Sequence, residues 1–134
     1  MKEFIIENGV LLRYLGKKKI LSIPSCVHTI GRYAFGGCET LEKVTVSDGI
    51  TAIGEGAFMK CWYLKEIIIP ESVREFDSSA FFAYAPYEIV FKGDFPTLGG
   101  KKDFYGTPTI YYDPQAEGWE NCPWKESYTV MPLK

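Results

Sequence analysis

Two hydrophobic signatures alternate along this chain and keep step with each other. In Leu41-x-x-Val44-x-Val46 the apolar residues alternate at a period of two, the mark of a half-buried strand. In Ile53-Gly54-x-x-Ala57-Phe58-x-x-Cys61 the spacing shifts to three and four residues, which suits a single helical or 3₁₀ turn. Both signatures return after 23 residues. Ile30-Gly31, Ala34-Phe35, Cys38, Leu41, Val44 and Val46 reappear as Ile53-Gly54, Ala57-Phe58, Cys61, Leu64, Ile67 and Ile69. A third copy carries Val73, Phe76 and Ala80-Phe81, with Tyr84 in the cysteine's place; one residue is then lost, and Ile89 and Phe91 close it. A fourth, degraded copy runs through Phe95, Leu98-Gly99, Phe104 (after one insertion), Ile110 and Tyr112.

Self-similarity at such a period predicts a solenoid, because each unit has an apolar side that it cannot bury alone. Stacking the units makes one continuous core and one parallel sheet. Its strands centre on Val44, Ile67, Ile89 and Ile110, with an earlier one near Leu21–Ile23. Pro24 and Pro70 follow strands, where a missing amide donor ends the pairing. Phe35, Phe58 and Phe81 are expected to stack inside, with Phe104 looser because of the insertion before it. Cys38 and Cys61 share one position in successive units, about 4.8 Å apart. They read as buried thiols filling space. A disulfide is permitted on separation alone, but the position also takes Tyr84.

The ends depart from the repeat. Asn8-Gly9 between Phe4–Ile6 and Val10–Leu12 predicts a two-residue type I′ hairpin that covers the first unit's open core. Beyond Asp113 the chain brings Trp119, Trp124 and Tyr128, read as an irregular cap over the last strand edge. The expected organisation is one domain over 1–134: a hairpin cap at 1–22, about four repeats at 23–112, and a C-terminal cap at 113–134.

These residues resemble the BspA-like, or Treponema-type, leucine-rich repeats, whose unit reads roughly Ile-Pro-x-x-Val-x-x-Ile-Gly-x-x-Ala-Phe-x-x-Cys-x-x-Leu-x-x-Ile-x-Ile. Ile23 to Val46 and Val46 to Ile69 match it closely. The stretch from Phe4 to Gly16 is similar to that family's lead-in, and Gly106 to Pro114, with Trp119 following, to its end. The resemblance implies an α/β leucine-rich-repeat right-handed solenoid, a short parallel β-sheet joined by helical or 3₁₀ turns. Commoner leucine-rich repeats place an asparagine after the strand. Here the matching places hold Cys26, Gly49 and Ser72, so no asparagine ladder runs through the core. Known members are mostly bacterial and protist surface proteins, several of them adhesins. The resemblance therefore implies a non-catalytic protein-interaction or scaffold module with a protein partner, without a cofactor. A purely structural repeat unit is the alternative, and a small enzyme or carbohydrate-binding domain a distant one.

Composition changes little. Fifteen basic against seventeen acidic side chains leave a net charge of −2, which gives no electrostatic footprint for nucleic acid. Lys17–Lys19 and Lys101–Lys102 sit beside glycines and read as solvated turns. No apolar run approaches the ~20 residues that cross a bilayer. The resemblance places the protein at the cell surface or outside the cell. The start lacks the apolar core of a secretory leader, which places the chain in the cytoplasm if it is complete.

The chemistry to be found is thin. His28 is the one histidine, so no multi-histidine metal site forms. Cys26 and His28 lie on one side of a strand, as a Cys–His pair would, but their repeat counterparts are Gly49/Thr51 and Ser72/Arg74. A binding face is the better candidate. One outward column reads Ser22, Thr45, Ile68, Val90, Tyr111, and the next Ile20, Lys43, Glu66, Glu88, Thr109. Ile68, Val90 and Tyr111 put three apolar residues where solvent-facing strands carry polar ones, and Lys43, Glu66 and Glu88 rim them. A partner protein, or a second copy of the chain, is expected to dock there.

Overall fold

The computed structural model describes residues 3–81, 85–99, 104 and 106–134; the expectations for Tyr84 and Lys101–Lys102 fall outside them. The chain runs through β1 (Phe4–Glu7), β2 (Val10–Tyr14), β3 (Ile20–Ser22), β4 (Thr29–Ile30), β5 (Lys43–Thr45), β6 (Ala52–Ile53) and β7 (Glu66–Ile69). It continues through β8 (Glu75–Asp77), β9 (Glu88–Phe91), β10 (Thr97–Gly99), β11 (Thr109–Tyr112) and β12 (Thr129–Pro132). Two parallel sheets result, in the orders β1-β2-β4-β6-β8-β10 and β3-β5-β7-β9-β11-β12, with β1–β2 the antiparallel exception. In the second sheet Leu21, Val44, Ile67, Ile89 and Ile110 lie in register and point inward. This is the parallel sheet that the repeat predicts.

Beyond the hairpin strands the first sheet was not legible, and helical turns are a minor part of the rungs. Strands of two residues, such as β4 and β6, are too short to show an alternation. Val27 and Ile30, three apart, are both buried, as are Ile50 and Ile53. What remains of the helical spacing is a run of i+3 hydrogen bonds: Ala34 N–H to the Gly31 carbonyl, Gly36 to Tyr33 and Cys38 to Phe35, at 2.9–3.3 Å. Left-handed residues stop these turns from growing into a helix. Tyr33 (φ 58°) and Gly56 (φ 63°) hold one repeat position, Gly37 (φ 73°) and Lys60 (φ 59°) another. A short 3₁₀ helix forms at Ser78–Phe81.

The core is an aromatic ladder. Phe35 and Phe58 stack at 4.8 Å between centroids, Phe58 and Phe81 at 5.7 Å, and the spacing widens to 6.1 Å at Phe104. The ladder starts earlier than the repeat: Phe4 lies 5.1 Å from Tyr14 and Tyr14 lies 5.3 Å from Phe35. Both residues come from the hairpin, whose Asn8-Gly9 turn has φ of 50° and 76°, as a type I′ turn requires. The C-terminal cap is less irregular than expected. It adds β12 in register beside β11. Trp119 and Trp124 are each 1% exposed, and the Trp119 indole N–H donates to the Gly93 carbonyl at 3.0 Å.

Candidate functional site

The outer face of the second sheet is the candidate surface. Because strand side chains alternate, the inward Leu21–Ile110 column fixes the residues on either side of it as outward. Ser22, Thr45, Ile68, Val90 and Tyr111 are paired neighbour to neighbour, and Met131 of β12 extends the stripe. Sequence reasoning missed Met131, 45% exposed, because β12 lies in the non-repeating cap. Val90 differs from the rest. It is only 8% exposed yet does not belong to the contiguous core, so it is covered on the outer face, flanked by Ile68 and Tyr111. A polar side chain at this position is therefore not free of cost to the fold.

The neighbouring column carries the charge. Ile20, Lys43, Glu66, Glu88, Thr109 and Thr129 face one another across successive strands. Lys43 Nζ meets Glu66 Oε1 at 3.1 Å, and one residue earlier on each strand Lys65 meets Glu42 at 3.6 Å. The Tyr111 hydroxyl donates to Glu88 Oε2 over 3.4 Å. Ile20, Glu42, Lys43, Lys65, Glu66, Tyr87 and Glu88 line a shallow depression of about 470 Å³. Its two ends are the most exposed apolar side chains there, Ile20 at 71% and Tyr87 at 64%. Tyr87 was not singled out from sequence, because the one-residue loss in the third repeat hides its register.

The other sequence candidates do not converge on this face. Cys26 and His28 are both exposed. The His28 ring serves the hairpin: Nε2 lies 2.9 Å from the Asn8 carbonyl and Nδ1 lies 3.0 Å from the Thr29 hydroxyl. Cys61 is buried and its thiol donates to the Phe35 carbonyl at 3.1 Å. Burial, with the neighbouring Cys38, pushes the Cys61 thiol up to about 12. Cys38 is half-exposed rather than buried. No complete rung lies below it, and it lines a depression of about 440 Å³ between the first turn and the hairpin's end. Among the described residues, no three His, Cys, Asp or Glu side chains gather as a metal site would need, and no buried side-chain polar atom lacks a partner. No helix among them is long and apolar enough to cross a membrane.

Comparison with known proteins agrees with this geometry. The model of the BspA type leucine rich repeat region matches residues 13–111 in six copies. No curated protein matches the chain. Among solved structures, a leucine rich repeat protein of T. pallidum is similar in fold. The TM-score is 0.58 at 18% identity, over 92% of this chain and 77% of that one.

Proposed function

Because this chain belongs to the BspA-type leucine-rich repeat family, we propose that it is a non-catalytic protein-interaction module. Its contact surface is the outer face of the second sheet, around Ile68, Val90 and Tyr111, with Lys43, Glu66 and Glu88 beside them. Repeats of this family generally mediate protein interaction or adhesion and are typically non-catalytic. One observation supports the choice of face above the rest. Five successive strands hold Ser22, Thr45, Ile68, Val90 and Tyr111 in register, which turns separate side chains into one rigid stripe. Tyr111 supplies a stiff amphipathic anchor of the sort enriched at interfaces, with a polar rim beside it. The partner is a protein, and an adhesin-type role at a cell surface fits the family.

A structural unit with no specific partner is the second reading. It draws on the Lys43–Glu66 and Glu42–Lys65 pairs, which tie one rung to the next without any partner. Capture from host-matrix and same-organism extracts, with wild type against Ile68→Thr/Tyr111→Ser, separates the two. Val90 is kept so that the melt stays unchanged. A partner lost only from the variant supports the contact face. A wild type and a variant that retain the same proteins move the contact to another surface, and a wild type that retains none supports the structural reading.

A further inference from the structure

The charges on the outer face are unevenly satisfied. Lys43 neutralises Glu66, and Lys65 neutralises Glu42, each across one rung. Glu88 is next in the column, with Glu66 in register on one side and Thr109 on the other. Among the described residues no lysine or arginine nitrogen lies within 4.0 Å of the Glu88 carboxylate. Among the same residues its one side-chain hydrogen bond is the long contact from Tyr111. Like charges directly opposite on neighbouring strands destabilise a sheet. A lysine at 88 would continue the Lys43–Glu66 alternation and remove the repulsion. A residue that breaks a local rule at the fold's expense is what functional sites display.

The surroundings say what such a carboxylate suits. Glu66 and Glu88 stand one strand spacing apart, about 4.8 Å, a separation that the forked donors of a guanidinium or a bridging ammonium can span. The exposed ring of Tyr87 stands at the rim of the same depression, and aromatic faces attract cations. At the depression's far end, Ile20 offers an apolar contact three strands away along the sheet. We infer that this face takes an extended partner segment bearing a basic side chain, whose cation sits across Glu88 and Glu66 beside Tyr87 while flanking residues run toward Ile20. This rests on the strand-face reading above and adds the partner's chemistry to it.

The test uses the full chain, isotopically labelled, and two end-blocked peptides, Val-Arg-Val-Arg-Val and Val-Glu-Val-Glu-Val. The arginine peptide is expected to shift the resonances of Glu66, Tyr87, Glu88 and Tyr111. Glu88→Gln should weaken it about tenfold, the loss of one charge-assisted hydrogen bond. Asp48→Asn, an equal change of charge at an exposed position outside the face, should change it by less than about twofold. If the glutamate peptide binds the same residues as tightly, the strand face stands and the basic side chain is wrong. An arginine peptide that does not bind, that maps elsewhere, or that binds Glu88→Gln unchanged also overturns the inference. The capture experiment with Ile68→Thr/Tyr111→Ser judges the face itself separately.

Discussion

At its N-terminal end this solenoid is closed by backbone, and at its C-terminal end by side-chain volume. The hairpin donates a strand to the first sheet, where β2 pairs with β4, and sets Phe4 and Tyr14 in front of Phe35. It leaves β3 as the outermost strand of the second sheet, and Cys38 beside an open depression. The C-terminal cap does the reverse. It completes the second sheet with β12, leaves β10 as the last described strand of the first, and fills the space behind with Trp119 and Trp124. Trp124 lies 4.9 Å from both Phe95 and Phe104, and Trp119 stacks on Tyr112 at 5.2 Å. Satisfying the edge's polar groups and filling its apolar volume are separate demands on a cap. Each end meets one demand better than the other. Among the described residues no strand pairs the outer edge of β3, which is tolerable because β3 is three residues long and preceded by Lys17–Lys19.

If volume closes one end and backbone the other, indole and phenyl deletions should differ between them. Trp124→Ala should cost about 3–5 kcal/mol, matching Phe58→Ala in the middle of the ladder. Phe4→Ala, at a half-buried position, should cost less than half as much in the same denaturant melts. Equal losses at both ends would erase the contrast.

The thiols sharpen it. Native Cys38 should react readily with a thiol reagent, while Cys61, one rung further in, should react only on unfolding. Cys61 also links stability to pH. Its folded value of about 12 lies above its ordinary 9.0. The thiol's contribution is therefore fully present below pH 9 and is lost as pH climbs from 9 toward 12. Stability measured over that range should fall less in Cys61→Ala than in wild type.

The hairpin's turn gives a smaller effect. A Cβ on Gly9 would sit 2.2 Å from the His28 ring at a φ of +76°. Gly9→Ala should cost about 1–2 kcal/mol. Amide exchange should quicken in β1 while the middle rungs keep their protection. Lys43→Gln should change stability least, by under about 0.5 kcal/mol, because the Lys43–Glu66 pair is part-exposed at the surface and screened by water.

The repeat made the second sheet legible, because inward and outward columns there persist through five rungs at fixed spacing. Asn8-Gly9 made the hairpin legible through turn chemistry that few other sequences satisfy. The first sheet was hidden for a physical reason. Beyond the hairpin its strands pair through backbone groups over two or three residues, and backbone pairing leaves no side-chain period to read. β12 was hidden because Thr129–Pro132 has no repeat behind it; β11 templates it by register alone. On the candidate face, Ile68 and Tyr111 were readable as outward. The cover over Val90 and the isolation of Glu88 depend on neighbours that only the stacked structure brings together.

The hydrogen bonds between rungs have a mechanical consequence. Val46 N–H reaches the Ile68 carbonyl at 2.9 Å, Phe58 N–H reaches the Ala80 carbonyl at 2.7 Å, and Lys92 N–H reaches the Ile69 carbonyl at 2.9 Å, each from one rung to its neighbour. A pull applied between the two ends loads these interfaces in series, so every interface bears the whole force and none shares it. Each gives way by itself, releasing one rung's length of chain, roughly 75 Å when extended. Force applied along the strands would instead meet many bonds in shear at once. Stretched lengthwise, the protein should pay out in steps, like a tether folded on itself.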